Sequence, residues 1–194
     1  PHAFRESMIR YAEAIEKDIP AAKAPYKEFF YEIYQEWLED FEFKFIHVIR
    51  NPFDVLASLK NSPYHREMRI FKDAIAVQAK NWQRSVSVGL ARTVTCPDKY
   101  YVIKFEDFVE NPDFFGKAIC SFLGVEFEEQ RMLNRTDYEY HDTNTSFLGN
   151  DSEKSENSSY IYRPKSRKSY LDAHEKDLIS SYCGEIARSL GYED

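Results

Sequence analysis

An arginine and a serine flank a short segment whose residue types suit the binding of a terminal phosphate. Arg50 directly follows the apolar run 43–49, and Ser58 lies one helical turn beyond Asp54 on the same side of the helix expected to follow. A guanidinium is planar, carries a permanent charge and offers paired N–H donors to phosphate oxygens, while a hydroxyl adds a further donor. The segment therefore predicts a local anion site.

The elements that must position this pair are a strand, a tight turn and a helix. The apolar run 43–49 is typical of a strand buried on both faces of a parallel sheet. Asn51 can cap a helix, Pro52 suits its first position, and Asp54 adds a negative charge near the positive end of the helix dipole. Arg50 therefore lies where a strand ends and a helix begins, which is where open α/β sheets bind ligands.

The order Arg-x-Pro-x-Asp, followed four residues later by Ser, resembles the 3′-phosphate-binding segment of sulfotransferases that use 3′-phosphoadenosine 5′-phosphosulfate (PAPS). Further along, Lys104-Phe105-Glu106-Asp107-Phe108, then Asn111-Pro112 and Phe122-Leu123-Gly124, follow that family's Tyr-Glu-Asp-Leu, proline and Phe-Leu-Gly in the same order. Upstream, Lys23-Ala24-Pro25 is similar to the family's Lys-Thr-Pro or Lys-Thr-His. The resemblance spans residue 23 to the C-terminus.

This resemblance implies a P-loop-type, three-layer α/β domain with a mostly parallel sheet flanked by helices. It implies transfer of a sulfuryl group from PAPS to an acceptor hydroxyl or amine, with Arg50 and Ser58 on the 3′-phosphate. Phe105 stands where many relatives carry a tyrosine near the adenine. The basic run 160–170 resembles the late Arg-Lys-Gly that meets the 3′-phosphate, with Arg167 and Lys168 kept and the glycine lost; a solvated surface is the equally weighted alternative.

The resemblance also places Lys23 near the transferring sulfuryl group, although a solvated lysine in a linker explains it equally well. In the cytosolic branch a histidine at the position of Pro25 is the general base, and proline cannot accept a proton. The base is then either a carboxylate just after the phosphate loop, which we favour, or His65 in the polar segment 61–69. A surface histidine without a role is the other interpretation of His65.

Family members begin with a strand and a Gly-Thr phosphate loop that binds the 5′-phosphosulfate. This chain has six glycines and none before Gly89, so we find no such loop. We therefore expect a sheet that is incomplete at the N-terminus and a chain that corresponds to the C-terminal two-thirds of such an enzyme. A phosphoadenosine-binding protein without catalysis, or another P-loop transferase such as a small-molecule kinase, remains an alternative.

Periodicity predicts the remaining elements of a single domain, 1–194. They are a helix over 4–18, helical spacing over 29–38, a helix over 70–90, a strand over 99–105, a helix from Pro112 to Gly124, and a last helix that begins at Asp172 with Glu175 in a capping box. The two strands should be parallel neighbours. His47 is expected to be a core histidine, Glu106 and Asp107 to anchor a turn, and 137–159 to be a long loop or lid.

Composition excludes several other classes of protein. The net charge of −7 and the sequence pI near 5.4 argue against a general nucleic-acid binder. No apolar run has the length of a membrane span, and three widely spaced cysteines predict neither a disulfide framework nor a metal site. We expect a soluble, cytoplasmic protein; the Asn-x-Ser/Thr triplets at Asn134, Asn144, Asn150 and Asn157 would be glycosylation sites in a secretory lumen. The acceptor, whether small molecule, glycan, lipid or peptide, is open.

Overall fold

The computed structural model describes residues 2–14, 16, 19–23, 27–39, 41–61, 75–129 and 166–192. The elements in order are α1 (His2–Ala14), a first 3₁₀ turn (Lys27–Phe30), α2 (Tyr31–Trp37), β1 (Phe45–Ile49), α3 (Pro52–Asn61), α4 (Ile75–Thr95), β2 (Tyr100–Lys104), α5 (Phe105–Glu110), α6 (Pro112–Leu123), a second 3₁₀ turn (Lys168–Tyr170) and α7 (Ala173–Ser189). The expectations for Pro25, His65, the segment 137–159 and the four Asn-x-Ser/Thr triplets lie outside the described residues.

The sheet within the described residues consists of β1 and β2, which run parallel with His47 opposite Val102. Helix α4 lies between them in the chain, so the predicted strand–helix–strand unit with parallel, neighbouring strands is confirmed. The fold is therefore a helix-rich α/β fold. The carboxyl ends of both strands, at Ile49 and Lys104, lie at the same edge of the sheet.

The hydrophobic core lies on one face of this sheet, between it and helices α3, α4 and α7. Its fully buried members come from all of these elements: Ile49, Phe53, Leu56, Ala57, Ala79, Trp82, Val86, Leu171, Ile179, Cys183, Ala187 and Tyr192. Small residues let α4 and α7 approach closely, and the Cys183 thiol donates to the carbonyl of Ala79 at 3.3 Å. Burial raises the pKa of the Cys183 thiol to about 12.

The opposite face of the sheet is covered over β2 but not over all of β1. The Tyr101 ring of β2 lies 5.3 Å from that of Phe122 at the end of α6. Val48 of β1 points to this same face, because side chains alternate along a strand, and it is 58% exposed. The prediction that the 43–49 strand is buried on both faces is therefore wrong at Val48, since among the described helices none covers it.

The helix ends show which capping predictions were correct. The Asn51 side chain accepts the Phe53 N–H at 3.0 Å, as a cap of α3 should. Asp172 and Glu175 form both bonds of the predicted capping box of α7. Gly124 ends α6 in the left-handed region at φ 74°. The sequence also predicts Asn111 as the cap of α6, and this prediction is wrong, because the Asn111 side chain makes no capping hydrogen bond and only its carbonyl accepts from the next turn.

The buried face of α7 is offset by one residue from the predicted one. The sequence predicts a stripe through Leu178, Tyr182, Ile186 and Leu190, all of which are only partly buried. The structure buries Ile179, Cys183 and Ala187 almost completely. The smaller side chains face α4 because they permit close packing, and the larger ones lie along the margin of that contact. None of the described helices combines the length and the hydropathy that a membrane span requires.

Candidate anion-binding site

Two hydrogen bonds fix the turn between β1 and α3. The carbonyl of Arg50 accepts the indole N–H of Trp82 at 2.9 Å, and the N–H of Asn51 donates to a Glu106 carboxylate oxygen at 2.9 Å. The first bond comes from α4 and the second from α5. The backbone at Arg50 is therefore fixed from two sides, independently of the contacts of its side chain.

The Arg50 side chain is largely buried, with 22% of its surface exposed. Its guanidinium carbon lies 4.9 Å from the centre of the Phe105 ring, and one terminal nitrogen lies 3.9 Å from an Asp54 oxygen. Its buried Nε atom has no hydrogen-bond partner among the described residues. The guanidinium is thus stacked and partly charge-compensated, with a donor still available to an acceptor.

Helix α3 brings the segment 166–170 to the same place. The Asp54 carboxylate accepts the Arg167 backbone N–H at 2.6 Å and the Ser166 hydroxyl at 3.1 Å. One turn further on, the Ser58 hydroxyl accepts an N–H from the Arg167 guanidinium at 3.0 Å. The basic segment therefore lies along α3, next to Arg50.

Two lysines complete this arrangement. The Lys168 ammonium lies 4.9 Å from the centre of the Phe53 ring, a cation–π contact at the first turn of α3. Lys60, near the end of α3, donates to the carbonyl of Tyr170 at 3.1 Å and pairs with Glu175 at 2.6 Å. We call Arg50, Ser58, Phe105, Arg167 and Lys168 the anion cluster. The cluster contains three cationic side chains, and the Asp54 carboxylate contacts both Arg50 and the backbone of Arg167.

The carboxylates that follow β2 are engaged in structural contacts. Glu106 accepts the Asn51 N–H with one oxygen and the buried Tyr192 hydroxyl, at 2.9 Å, with the other. Asp107 pairs with Lys104 at 3.1 Å. Burial raises the pKa of the Tyr192 phenol, and the negative charge of Glu106 raises it further. This agrees with the expectation that the pair anchors the turn.

His47 lies in a separate, buried polar group on β1. Its Nδ1 lies 2.9 Å from the Tyr100 hydroxyl and its Nε2 lies 3.3 Å from the Ser85 hydroxyl, which donates to Glu28 at 2.5 Å. Burial lowers the pKa of His47, with the nearby Glu28 acting in the opposite direction. The expectation of a hydrogen-bonded core histidine agrees with these contacts. Within the described residues no group of His, Cys, Asp and Glu side chains could bind a metal ion.

The structure brings five of the seven site residues predicted from the sequence into one cluster. Lys23 instead lies exposed in the segment 19–23, and among the described residues nothing forms a hydrogen bond or ion pair with it. His65 lies outside the described residues. Sequence reasoning missed the hydrogen bonds of Asp54, which it interpreted only as a charge at a helix start. No pattern could have found them, because Asp54 and Arg167 are separated by 113 positions.

Residues 42–129 match the sequence model described as "Sulfotransferase family", a range that includes Arg50, Ser58 and Phe105. No curated protein shows a significant sequence match to the chain. A solved structure described as "Sulfotransferase Domain from the Curacin Biosynthetic Pathway" is 22% identical and aligns over 77% of this chain and 54% of its own, with a TM-score of 0.48. The chain thus spans about half the length of that structure. Residues 42–129, the segment from before β1 to beyond α6, are therefore similar to a sulfotransferase family.

Proposed function

We propose that the protein transfers a sulfuryl group from PAPS to an acceptor hydroxyl or amine, and that the anion cluster binds the 3′-phosphate of this donor. The observation that carries the proposal is the buried, unpaired Nε of Arg50 beside the bonded pair of Ser58 and Arg167. A buried donor without a partner costs about 1–3 kcal/mol, so this position favours an oxygen acceptor. A phosphate monoester presents several such oxygens.

The rest of the cluster fits the same ligand. Arg167 and Lys168 supply two further positive charges, which suit a phosphate that is mostly dianionic near neutral pH. The Phe105 ring, which lies against the Arg50 guanidinium, offers an apolar surface for the adenine base but no hydroxyl. PAPS itself would supply the activated sulfuryl group, and the residues of this chain would bind and orient it.

The remaining assignments follow the family pattern. We propose Lys23 as a contact to the sulfuryl oxygens, where an ammonium would stabilise developing charge. Pro25 has no proton acceptor, so the acceptor group must be deprotonated by another residue, and His65 is the candidate within this sequence. Positioning and charge stabilisation would supply most of the rate enhancement, as in phosphoryl transfer.

The test measures thermal stabilisation of the purified protein by 3′-phosphoadenosine 5′-phosphate and by adenosine 5′-phosphate. A ligand that binds the native state raises the melting temperature, and only the first nucleotide carries the 3′-phosphate. We expect the first to give the larger shift. Arg50→Ala should abolish the difference and Ser58→Ala should reduce it, because a hydrogen bond to a charged group contributes about 1.5–3 kcal/mol, or about tenfold to a hundredfold in affinity.

Arg84→Ala is the matched control. Arg84 also lies over a phenylalanine ring, 4.8 Å from the centre of Phe29, but on the exposed side of α4 and outside the anion cluster. It should retain the difference between the two nucleotides. Equal shifts from both nucleotides in the unsubstituted protein, or a difference that survives Arg50→Ala, would contradict the proposed 3′-phosphate site.

A further inference from the structure

A carboxylate lies among the cations of the anion cluster, where the charge of a bound phosphate would repel it. Asp54 is largely buried, with 13% of its side chain exposed. Like charges at such short range disfavour binding, so a carboxylate here weakens the Coulombic attraction for an anion. We therefore expect Asp54 to act in some way other than by contacting the ligand.

The hydrogen bonds of Asp54 indicate that role. One carboxylate oxygen accepts both the backbone N–H of Arg167, at 2.6 Å, and the hydroxyl of Ser166, at 3.1 Å. The other oxygen lies 3.9 Å from the Arg50 guanidinium, which is a charge contact longer than a hydrogen bond. The carboxylate is therefore bonded mainly to the incoming segment and only electrostatically to Arg50.

The position of Asp54 on α3 determines where the Arg167 side chain can reach. Asp54 fixes the Arg167 backbone at the first turn of the helix, and Ser58, one turn on and on the same side, accepts the guanidinium of that same residue. Lys60 fixes the far end of the segment at the carbonyl of Tyr170. Three residues of α3 thus align the segment 166–170, and Asp54 is the one that fixes Arg167 next to Arg50.

We propose that Asp54 is a positioning residue for the 3′-phosphate site: it accepts the Arg167 backbone and Ser166, and so assembles two arginines from distant parts of the chain into one site. This inference rests on the proposed function. It assigns to Asp54 the discrimination between nucleotides with and without a 3′-phosphate. A geometric role of this kind depends on where the acceptor oxygen lies rather than on its charge.

The experiment separates position from charge. Calorimetry would give the dissociation constants of 3′-phosphoadenosine 5′-phosphate and adenosine 5′-phosphate, and their ratio measures discrimination. Asp54→Asn retains the acceptor oxygen at the same distance and removes the charge, so its ratio should stay within about threefold of the original. Asp54→Glu retains the charge and helix-start stabilisation but moves the oxygens by one methylene, so its ratio should fall about tenfold or more, the loss expected for one charge-assisted hydrogen bond.

Asp113→Ala is the matched control, because Asp113 lies in the first turn of α6 and pairs with Lys117 four residues on, outside the anion cluster. Its ratio should be unchanged. The proposal is overturned if the ratio of dissociation constants is unchanged in Asp54→Glu, or if it falls equally in Asp54→Asn and Asp54→Glu. A fall of the ratio in Asp113→Ala would overturn it as well. A protein that does not discriminate before any substitution would instead refute the proposed function. Circular dichroism and melting curves would show that each variant is folded.

Discussion

Arg50 and His47 lie three residues apart on one chain segment, yet burial affects their charges differently. His47 can lose its proton, so burial is accommodated by a lowered pKa and by neutral hydrogen bonds to Tyr100 and Ser85. A guanidinium carries a permanent charge, so the partly buried side chain of Arg50 lies against the Phe105 ring and near the Asp54 carboxylate. The chemistry of each side chain therefore determines the kind of environment that the strand must provide.

The lowered pKa of His47 predicts an acid limit to stability. Because the folded-state pKa lies below the ordinary value of 6.5, the unfolded chain takes up a proton first as the pH falls. The free energy of unfolding should be constant above pH 6.5 with respect to this group and decrease below it, by at most about 1.4 kcal/mol per pH unit. Urea unfolding measured between pH 5 and 8 tests this.

His47→Gln should be less stable at neutral pH and should show a weaker pH dependence below pH 6.5, since glutamine does not titrate. His174→Gln is the control, because His174 is exposed near the start of α7. It should retain the pH dependence of the original protein. A His47→Gln protein with an unchanged slope would show that another group causes the acid limit.

At the scale of elements, the sequence predicted those whose signals are local. The apolar run indicated β1, and Arg50-Asn51-Pro52 indicated the start of α3. A strand, a turn and a helix start each have a sequence pattern of only a few residues. The helix α5 (Phe105–Glu110) was not predicted, since Phe105 was assigned to the preceding strand and Glu106 and Asp107 to a turn. The rotation of α7 was also missed, because side-chain hydrophobicity alone favours Leu178 over Cys183, whereas close packing on α4 favours the smaller residue.

The contact between α4 and the sheet predicts that Gly89 cannot be enlarged. A Cβ atom at Gly89 would lie 2.5 Å from Nδ1 and 2.9 Å from Cε1 of the His47 ring. Glycine in a helix interior normally costs about 0.5–1 kcal/mol relative to alanine. Here we expect Gly89→Ala to destabilise the protein by about 1–3 kcal/mol, as overpacking does, because the ring is fixed by two hydrogen bonds. Chemical denaturation measures the difference.

Gly184 provides the comparison within the same core. It is also buried in a helix interior, but the three heavy atoms nearest to a Cβ there belong to the far end of the Arg188 side chain, the closest at 3.2 Å. That side chain can move, so Gly184→Ala should be neutral or slightly stabilising. If both substitutions had the same effect, the approach of α4 to His47 would not be the constraint that we describe.

At the scale of the whole molecule, the anion cluster combines segments that follow β1, follow β2 and precede α7. The first two could be predicted because parallel strands bring their carboxyl ends to one edge of a sheet. The third could be predicted only by resemblance, since no local rule connects the charges at 166–168 with a helix more than a hundred positions earlier. Side-chain hydrogen bonds over such distances depend on the whole fold, which composition and periodicity do not determine.

The buried tyrosines predict that the protein loses stability at alkaline pH. Burial raises the pKa values of Tyr31, Tyr100 and Tyr192 above the ordinary value of 10.0. Above pH 10 the unfolded chain therefore loses protons that the folded chain keeps, so the free energy of unfolding should decrease as the pH rises. Each such tyrosine contributes up to about 1.4 kcal/mol per pH unit.

Unfolding measured between pH 8 and 11 would test this limit. Tyr192→Phe removes one of the shifted groups, so its stability should decrease less steeply above pH 10, although it loses the hydrogen bond to Glu106. Tyr11→Phe is the control, since Tyr11 is 58% exposed, and its slope should match that of the original protein. Identical slopes for all three proteins would mean that Tyr192 does not contribute.

The bond from the Trp82 indole to the carbonyl of Arg50 also gives the protein an optical probe. The chain has two tryptophans, of which Trp82 is 7% exposed and Trp37 is 39% exposed. In a Trp37→Phe protein all indole fluorescence would come from the residue that is hydrogen-bonded to the backbone of the first member of the anion cluster. The emission wavelength and intensity of that single fluorophore would then follow changes at Arg50 in real time, without any added label.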